Sequence, residues 1–327
     1  MTMLTSTALR DFTRADYEPY AEIINASYPD YGWTAAEMRH EDDGWDHARF
    51  FKHRLVAEEN GRVAGVAETS HWPSRFQPDN YNVDIVVDPT RRRRGHGRAL
   101  YLALETILRA RGAHLLRTGV KESMGDGVAF AAANGFRELS RDWESRLDVA
   151  GFDETPFARA YERIAEQGIT VTTLAQELAR DRETAMSKAF DLHEACRRDV
   201  PSPDPATPGD PARFRHELEG PTALPEAYFI AVGGDGSWLG VSDLWASLAD
   251  PSFLWQGLTG VRREARGRGI AMALKLETVR YAKAQGKREI KTWNATTNRP
   301  MLRINEAMGF VKQPVWIRFE KDLRAAT

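Results

Sequence analysis

Two rhythms of apolar and polar residues run through this chain, and each occurs twice. The segments "HRLVAEENGRVAGVAETSHW" (53–72) and "AYFIAVGGDGSWLGVSDLWAS" (227–247) each place two β-rich runs around a Gly-containing turn, which predicts two hairpins. The segments "GRALYLALETILRARG" (97–112) and "AMALKLETVRYAKAQG" (271–286) space their apolar residues three and four apart and stop at a glycine, which predicts two amphipathic helices. Shorter strands are expected at "ALRDFT", "NVDIVVD", "HLLRTGV", "ITVTTLA", "SFLWQGLTGV" and "REIKTWN". Helices are expected at "ADYEPYAEIINASY", "GVAFAAANG", "PFARAYERIAEQG", "RETAMSKAFDLHEACRR", "DPARFRHELEG" and "PMLRINEAMGF". This order of elements predicts a mixed α/β (α+β) fold with a twisted, mostly antiparallel central sheet flanked by helices.

The duplication extends to identities. "VVDPTRRRRGHGRAL" returns as "GVRREARGRGIAMAL", with Val87 and Val261 standing 174 residues apart. At the same spacing Arg92 matches Arg266, Gly95 matches Gly269, Leu100 matches Leu274, and Gly135-Phe136 matches Gly309-Phe310. That period is far too long for a solenoid and reads as a duplicated domain. The expected division is 1–150 and 151–327, with "DVAGFDETP" as linker. "PSPDPATPGDP" (201–211) falls between helices that the second copy needs, so it is a loop, either overhanging a cleft or simply crossing the surface.

In both copies the repeated motif follows a strand and opens a helix. A helix start leaves backbone N–H groups unpaired at the positive end of its dipole. Small residues let a phosphate approach them, and arginines add charge, so the motif reads as a pyrophosphate cradle. No Gly-Lys-Ser/Thr follows, and the third glycine of a dinucleotide-binding fingerprint is missing.

Composition narrows the partners. The 327 residues carry 45 Lys+Arg against 47 Asp+Glu, a net charge of -2, which argues against a nucleic-acid binder despite "RRRR" at 91–94. No apolar run is long enough to span a membrane, and "MTMLTSTALRDF" lacks the regions of a signal peptide. Cys196 is the only cysteine, so no intramolecular disulfide forms, consistent with a cytoplasmic protein. No metal site is expected. Two copies in one chain already form a pseudo-dimer, and both a monomer and a homodimer fit.

The two loops, together with "TWNATTNRPMLRINEAMGF", resemble the GNAT superfamily of acetyl-CoA-dependent N-acyltransferases, and the likeness covers nearly the whole chain. Two such domains in tandem resemble the architecture of the mycothiol synthase group. The resemblance implies acetyl-CoA as acyl donor and direct transfer to the amine of a small-molecule acceptor. It places Val261, Arg262, Arg266, Gly267, Arg268, Gly269, Ile270 and Ala271 around the cofactor in the second copy, with Asn294 and Asn298 beside the pantetheine arm. In the first copy it places Val87, Arg92, Arg93, Arg94, Gly95, His96 and Gly97 there. Many members carry an acidic tyrosine four residues before the Gly-Phe glycine. Here Asn305 and Ala131 stand at that position, which leaves the acid unassigned. Asn305 is expected either to donate to sulfur or to cap a helical turn. For the base, Asp243, Glu68 and Asp84 lie on central strands, and Asp243 is the choice for the second copy. Trp245, Trp255 and Trp293 line an acceptor pocket or belong to the core. The asparagine-rich motif favours the second copy as catalytic and the first as a binding or structural half. The alternative is a non-catalytic acyl-CoA-binding or sensing protein. A glutamate at Gly95 or Gly269 places an anion in one cradle, which calorimetry with acetyl-CoA tests: loss of binding in Gly269→Glu alone marks the second copy as the working site, and loss of one of two acetyl-CoA in each variant shows that both cradles bind.

Overall fold

A computed structural model gives the architecture of residues 7–324; residues 1–6, which the expected 1–150 domain includes, and 325–327 lie outside the described residues. In the first half, strand β1 (Ala8–Asp11) leads to helices α1 (Tyr17–Ser27) and α2 (Ala35–Asp43). α2 has a start signal that hydrophobic pattern alone passes over: Thr34 Oγ1 accepts the Glu37 N–H at 3.2 Å, and the Glu37 carboxylate accepts the Thr34 N–H at 2.7 Å. β2 (Lys52–Glu59) and β3 (Arg62–Ser70) make the first hairpin, and Asn60 and Gly61 turn it with φ of 54° and 72°. β4 (Asn80–Val87), α3 (His96–Ala110), β5 (Leu115–Lys121), α4 (Gly125–Ala133) and β6 (Arg137–Asp148) follow.

The second half contains α5 (Arg159–Ala165), β7 (Thr170–Thr173), α6 (Leu174–Arg180), α7 (Arg182–Arg197) and α8 (Pro211–Leu218). The strand expected over 169–175 is shorter than its pattern, because Thr173 and Gln176 form a capping box that starts α6 at Leu174. Residues 201–210 belong to the loop that connects α7 to α8, and Pro211 opens α8. β8 (Ala223–Val232) and β9 (Trp238–Ala246) make the second hairpin. Then come β10 (Phe253–Val261), α9 (Ile270–Ala284), β11 (Glu289–Ala295), α10 (Arg299–Ala307), β12 (Val311–Lys312) and β13 (Trp316–Asp322). Among the described residues no helix is long and apolar enough to cross a membrane.

The chain packs into two compact units, one of residues 7–141 and 315–324, the other Asp142–Pro314. This division falls earlier than the 150/151 boundary drawn from the repeat, and it returns the C-terminal strand to the first unit. The first unit pairs its strands in the order β1-β2-β3-β4-β5-β13. All neighbours are antiparallel except β4 and β5. β13 pairs with β5 over seven residues, from Trp316 opposite Lys121 to Asp322 opposite Leu115. In the second unit the order is β7-β8-β9-β10-β11, followed by residues Asp142–Asp148 of β6, and only β10 and β11 are parallel.

The cores explain the two rhythms. In the first unit Tyr17, Tyr20 and Ile23 of α1 and Met38 of α2 pack on Val56, Val66 and Val86 of the sheet. In the second, Ala185, Ala189 and Leu192 of α7 pack with Tyr228, Ile230 and Val241. Ala273, Leu274 and Leu276 of α9 pack in a separate cluster with Ala231 and Leu254. Ile317 and Phe319 of β13 are buried, so the first unit's core depends on the chain's last strand. Phe319→Ala is expected to cost the first unit about 3–5 kcal/mol. Amide exchange should then accelerate in β5 while β8, β9 and β10 keep their protection.

Candidate functional site

Each unit carries the same loop at the same place. After β4, the chain makes a short turn at Pro89–Arg91, passes Arg92 in extended conformation and enters α3 at Gly95, whose φ is 94°. After β10, it turns at Arg263–Ala265, passes Arg266 and enters α9 at Gly269, whose φ is 90°. The matched arginines hold the loops closed in the same way. Arg92 Nε donates to the Val87 carbonyl at 3.2 Å, and Arg266 Nε donates to the Val261 carbonyl at 3.1 Å. No side chain caps either helix, so the first N–H groups stay available to an anion. A Cβ at Gly95 would meet nothing within 4 Å, so the surface above it is open. These features fit the pyrophosphate of a coenzyme. Arg93 has φ of 62° where Gly267 has 76°, a left-handed position that costs a side-chain-bearing residue about 1 kcal/mol.

The loops differ in what holds their charges. In the first unit Glu59, 3 % exposed, accepts from Arg91 at 3.1 Å and from Arg94 at 3.1 Å, and its Oε1 lies 3.6 Å from His96 Nε2. His96 is buried and its Nδ1 bonds to Thr7 Oγ1 at 3.0 Å, so its ring faces the protein. Of the four arginines, Arg91 and Arg94 brace the turn, Arg92 also bonds to Ser27 at 3.0 Å, and Arg93 faces solvent. In the second unit Asp199 binds both Arg263 and Arg266, and the Arg263 and Arg266 hydrogen bonds pull its carboxyl down to about 2. Arg262 Nε donates to the Trp238 carbonyl at 2.8 Å. Arg268 Nε donates to Gln167 at 2.7 Å, and Arg163 donates to the Gly267 carbonyl at 2.8 Å with its stem 3.1 Å from where a Gly269 Cβ would lie. Ile270 is buried, and Gly97 and Ala271 hold matching places in the first turns of their helices.

The parallel pair forks in both units. β4 pairs with β5 only from Asn80 to Asn82, and β10 pairs with β11 only from Phe253 to Trp255. Beyond each fork one strand runs on toward its loop with no ladder partner on that side, leaving backbone groups for an added extended chain.

Carboxylates stand beside both forks. In the second unit two residues, Gly257 and Leu258, oppose the single residue Asp243, which makes a β-bulge. Asp243 Oδ1 accepts the displaced Leu258 N–H at 3.1 Å and the Trp245 indole N–H at 2.9 Å. A Cβ on residue 257 would lie 1.9 Å from that oxygen, so the carboxylate fills the space glycine leaves. Burial pushes Asp243 up to about 7 against those two donors. In the first unit Arg54, Glu68 and Asp84 lie in register on β2, β3 and β4, and Arg54 pairs with Glu68 and with Asp42. Asp84 is exposed on β4, and the protein around it strips away part of its water. That desolvation, with the charge of Glu68, pushes it up to about 6.

The later motif folds inward. Asn298 caps α10, accepting the Met301 N–H at 3.5 Å. Asn305 is buried and donates to Asn294 Oδ1 at 2.7 Å, while its own Oδ1 is buried without a partner. Ala131 is buried at the corresponding place in the first unit. Trp245 and Trp255 are cross-strand neighbours, and Trp255 stacks on the 39 %-exposed Trp293 at 4.6 Å. Two groups escape a pattern-based reading. Lys275 is fully buried 4.6 Å from the Phe310 ring centroid and pushed down to about 7 by desolvation, and Tyr228 OH is buried without a partner. The 174-residue spacing pairs Lys275 with Tyr101, a chemical difference visible in sequence but meaningless without its burial. Cys196 is buried against Gly260, and desolvation pushes its thiol up to about 11, which disarms it as a nucleophile. Among the described residues no His/Cys/Asp/Glu group is arranged to hold a metal.

The acetyltransferase (GNAT) family model matches residues 16–136. The mycothiol acetyltransferase of Thermomonospora curvata is 28% identical over 266 residues, covering 81% of each chain. The same-named protein of Actinosynnema mirum is 26% identical over 78% of this chain and 79% of its own. Residues 16–136 of this chain thus match a GNAT acetyltransferase domain, and most of its length is similar to acetyltransferases. The fold is shared: a tandem GNAT protein from the clavulanic acid biosynthesis pathway superposes with a TM-score of 0.75 at 20% identity, covering 97% of this chain and 98% of that one. Acetyl-CoA is the acyl donor of the family. Asp199→Asn is expected to free Arg263 and Arg266 and tighten acetyl-CoA binding several-fold at low salt. Because the freed charges are exposed, calorimetry across a salt series should show the gain fading as salt rises.

Proposed function

We propose that this GNAT enzyme transfers acetyl from acetyl-CoA directly to the amine of a small-molecule acceptor, with the second unit as the working centre and Asp243 as its base. The observation that carries this reading is the carboxylate at the bulge, next to the fork and raised to about 7. A group titrating there holds a proton weakly enough to give it up and strongly enough to take one near neutral pH. Acetyl-CoA supplies a thioester carbonyl already activated toward amines. The rest is for the chain's own residues to do. Arg263, Arg266 and the first N–H groups of α9 form an anion-binding end for the cofactor, and Asp199 competes with that anion for the two arginines. The strand edge beyond Trp255 orients an extended arm toward the fork. Asp243 takes the proton from an ammonium whose free pKa is near 10. The Trp255–Trp293 stack offers a flat apolar wall to the acceptor's body. Direct transfer is supported by Cys196, a buried thiol unsuited to an acyl-enzyme.

Asn305 and Ala131 at the usual tyrosine position favour the second reading, an acyl-CoA-binding sensor without turnover. Acetyl-CoA thiol release with an acceptor panel separates the two. The relatives' name puts an acceptor of mycothiol type first in that panel. With a competent acceptor, Asp243→Asn is expected to lower kcat by about 10²-fold or more. In the wild type kcat/KM should rise with pH through about 7 and level off above it, because the base acts deprotonated. Burial also makes the charged form costly, so stability should fall as pH rises from the unfolded carboxyl pKa toward about 7. Asp243→Asn should flatten that slope.

A further inference from the structure

We infer that the first unit is a second acetyl-transfer centre, in which Asp84 takes the proton of a primary amine with an aromatic or apolar body. The inference rests on the reading above only for acetyl-CoA as donor. The sequence reads the first unit as a binding or structural half; the surroundings of Asp84 point to a site of its own.

Asp84 sits two residues past Asn82, the last β4 residue paired with β5, on the strand that runs on to the first loop. Its place in the second unit is taken by Leu258, whose N–H is tied to Asp243, so the acidic group has a separate origin in each unit. Neighbouring acids are neutralised: Glu68 by Arg54 and Asp42 by Arg54 and Lys52, at 2.7 Å for Lys52. Asp84, in contrast, makes no hydrogen bond and no ion pair with any described residue, although solvent reaches it and Glu68 stands directly across the ladder. Arg318 of β13 acts on it by charge without forming an ion pair, and an exposed carboxylate beside the fork is left to meet a cation.

Aromatic rings supply the rest of the wall. Tyr28, whose hydroxyl is raised by burial and then by the charge of Asp84, stacks on Trp316 at 6.1 Å, and Tyr31 meets Trp316 edge-on at 5.4 Å. Trp316 stands on β13 opposite Lys121, beyond the fork. Across the gap Gly119 presents no side chain, and the exposed Arg318 lies over it, its guanidinium 3.2 Å from where a Cβ would stand, so an acceptor has to displace that flexible arm. The first loop is also fit to hold the donor. Gly95 is uncovered, and Arg92 leans on neutral Ser27, whereas Arg266 is bound to anionic Asp199.

The chemistry balances without a further reactant. The bound ammonium gives one proton to the Asp84 carboxylate, which passes it to solvent; the neutral nitrogen then forms the C–N bond to the acetyl carbon and loses its second proton to Asp84 or solvent as the tetrahedral adduct collapses. The C–S bond breaks with its electron pair on sulfur, and the thiolate is protonated by solvent.

The test measures CoA thiol release from acetyl-CoA with 2-phenethylamine and tyramine, for wild type, Gly95→Glu, Asp84→Asn, Asp84→Glu and Asp243→Asn. Asp84→Asn and Gly95→Glu should lose at least about 100-fold in kcat/KM. Asp84→Glu should recover part of the rate, and Asp243→Asn should lose at least ten-fold less than Asp84→Asn. Acetyl-CoA affinity of Asp84→Asn should stay within about three-fold of wild type, which separates a chemical role from a folding defect. Wild-type release no faster than hydrolysis with both amines, or release that Asp84→Asn leaves intact, overturns the inference. If a different acceptor then shows turnover abolished by Asp243→Asn, the reading of the second unit survives alone. If wild type binds no acetyl-CoA, both fall.

Discussion

Both candidate sites are built on one backbone constraint, the early parting of a parallel strand pair. β4 and β5, and again β10 and β11, share only three ladder pairs before they diverge. The unpaired stretch that follows exposes peptide groups along a strand whose far end becomes an uncapped helix N-terminus. A sheet that stayed zipped would have no edge for an amide-bearing arm. A helix capped by its own side chain would have no N–H groups for phosphate. The fork and the bare helix end therefore belong together, and the glycine at each N-cap, with φ of 94° or 90°, joins them.

Around this shared frame the two copies solve the same electrostatic problem differently. Several cations crowded into a short turn repel one another and need an anion nearby. The first unit buries Glu59 beneath its turn, so Arg91 and Arg94 become structural and Arg93 is left to solvent. The second unit has Gly233 at the corresponding spacing and uses Asp199, at the end of α7, from outside. A buried brace is fixed, whereas an outside brace competes with whatever anion the loop binds.

Acidic groups beside the forks show the same independence. In the second unit the bulge creates an orphan N–H, and Asp243 satisfies it while losing solvent. In the first the β3–β4 ladder is regular, no N–H is displaced, and Asp84 stays exposed without a hydrogen bond. Both carboxyls end up raised, one by burial alone and the other by crowding with a like charge opposite.

The sequence by itself determined the mixed α/β architecture, the duplication, the cofactor loops and their glycines, because these rest on local periodicity and on identities at a fixed spacing. Most elements were legible for the same reason. α2 and α6 were missed although their capping boxes, Thr34 with Glu37 and Thr173 with Gln176, are written in the chain. Only the tertiary structure decided that β13 completes the first unit's sheet and that residues Asp142–Asp148 complete the second's, since strand pairing across such distances leaves no periodic trace. It also decided which of four adjacent arginines faces solvent, that His96 turns inward, and that Asn305 spends its N–H on Asn294. Those outcomes depend on which charges and amides meet in space and how much water is left around them, and neither quantity is encoded at any one position.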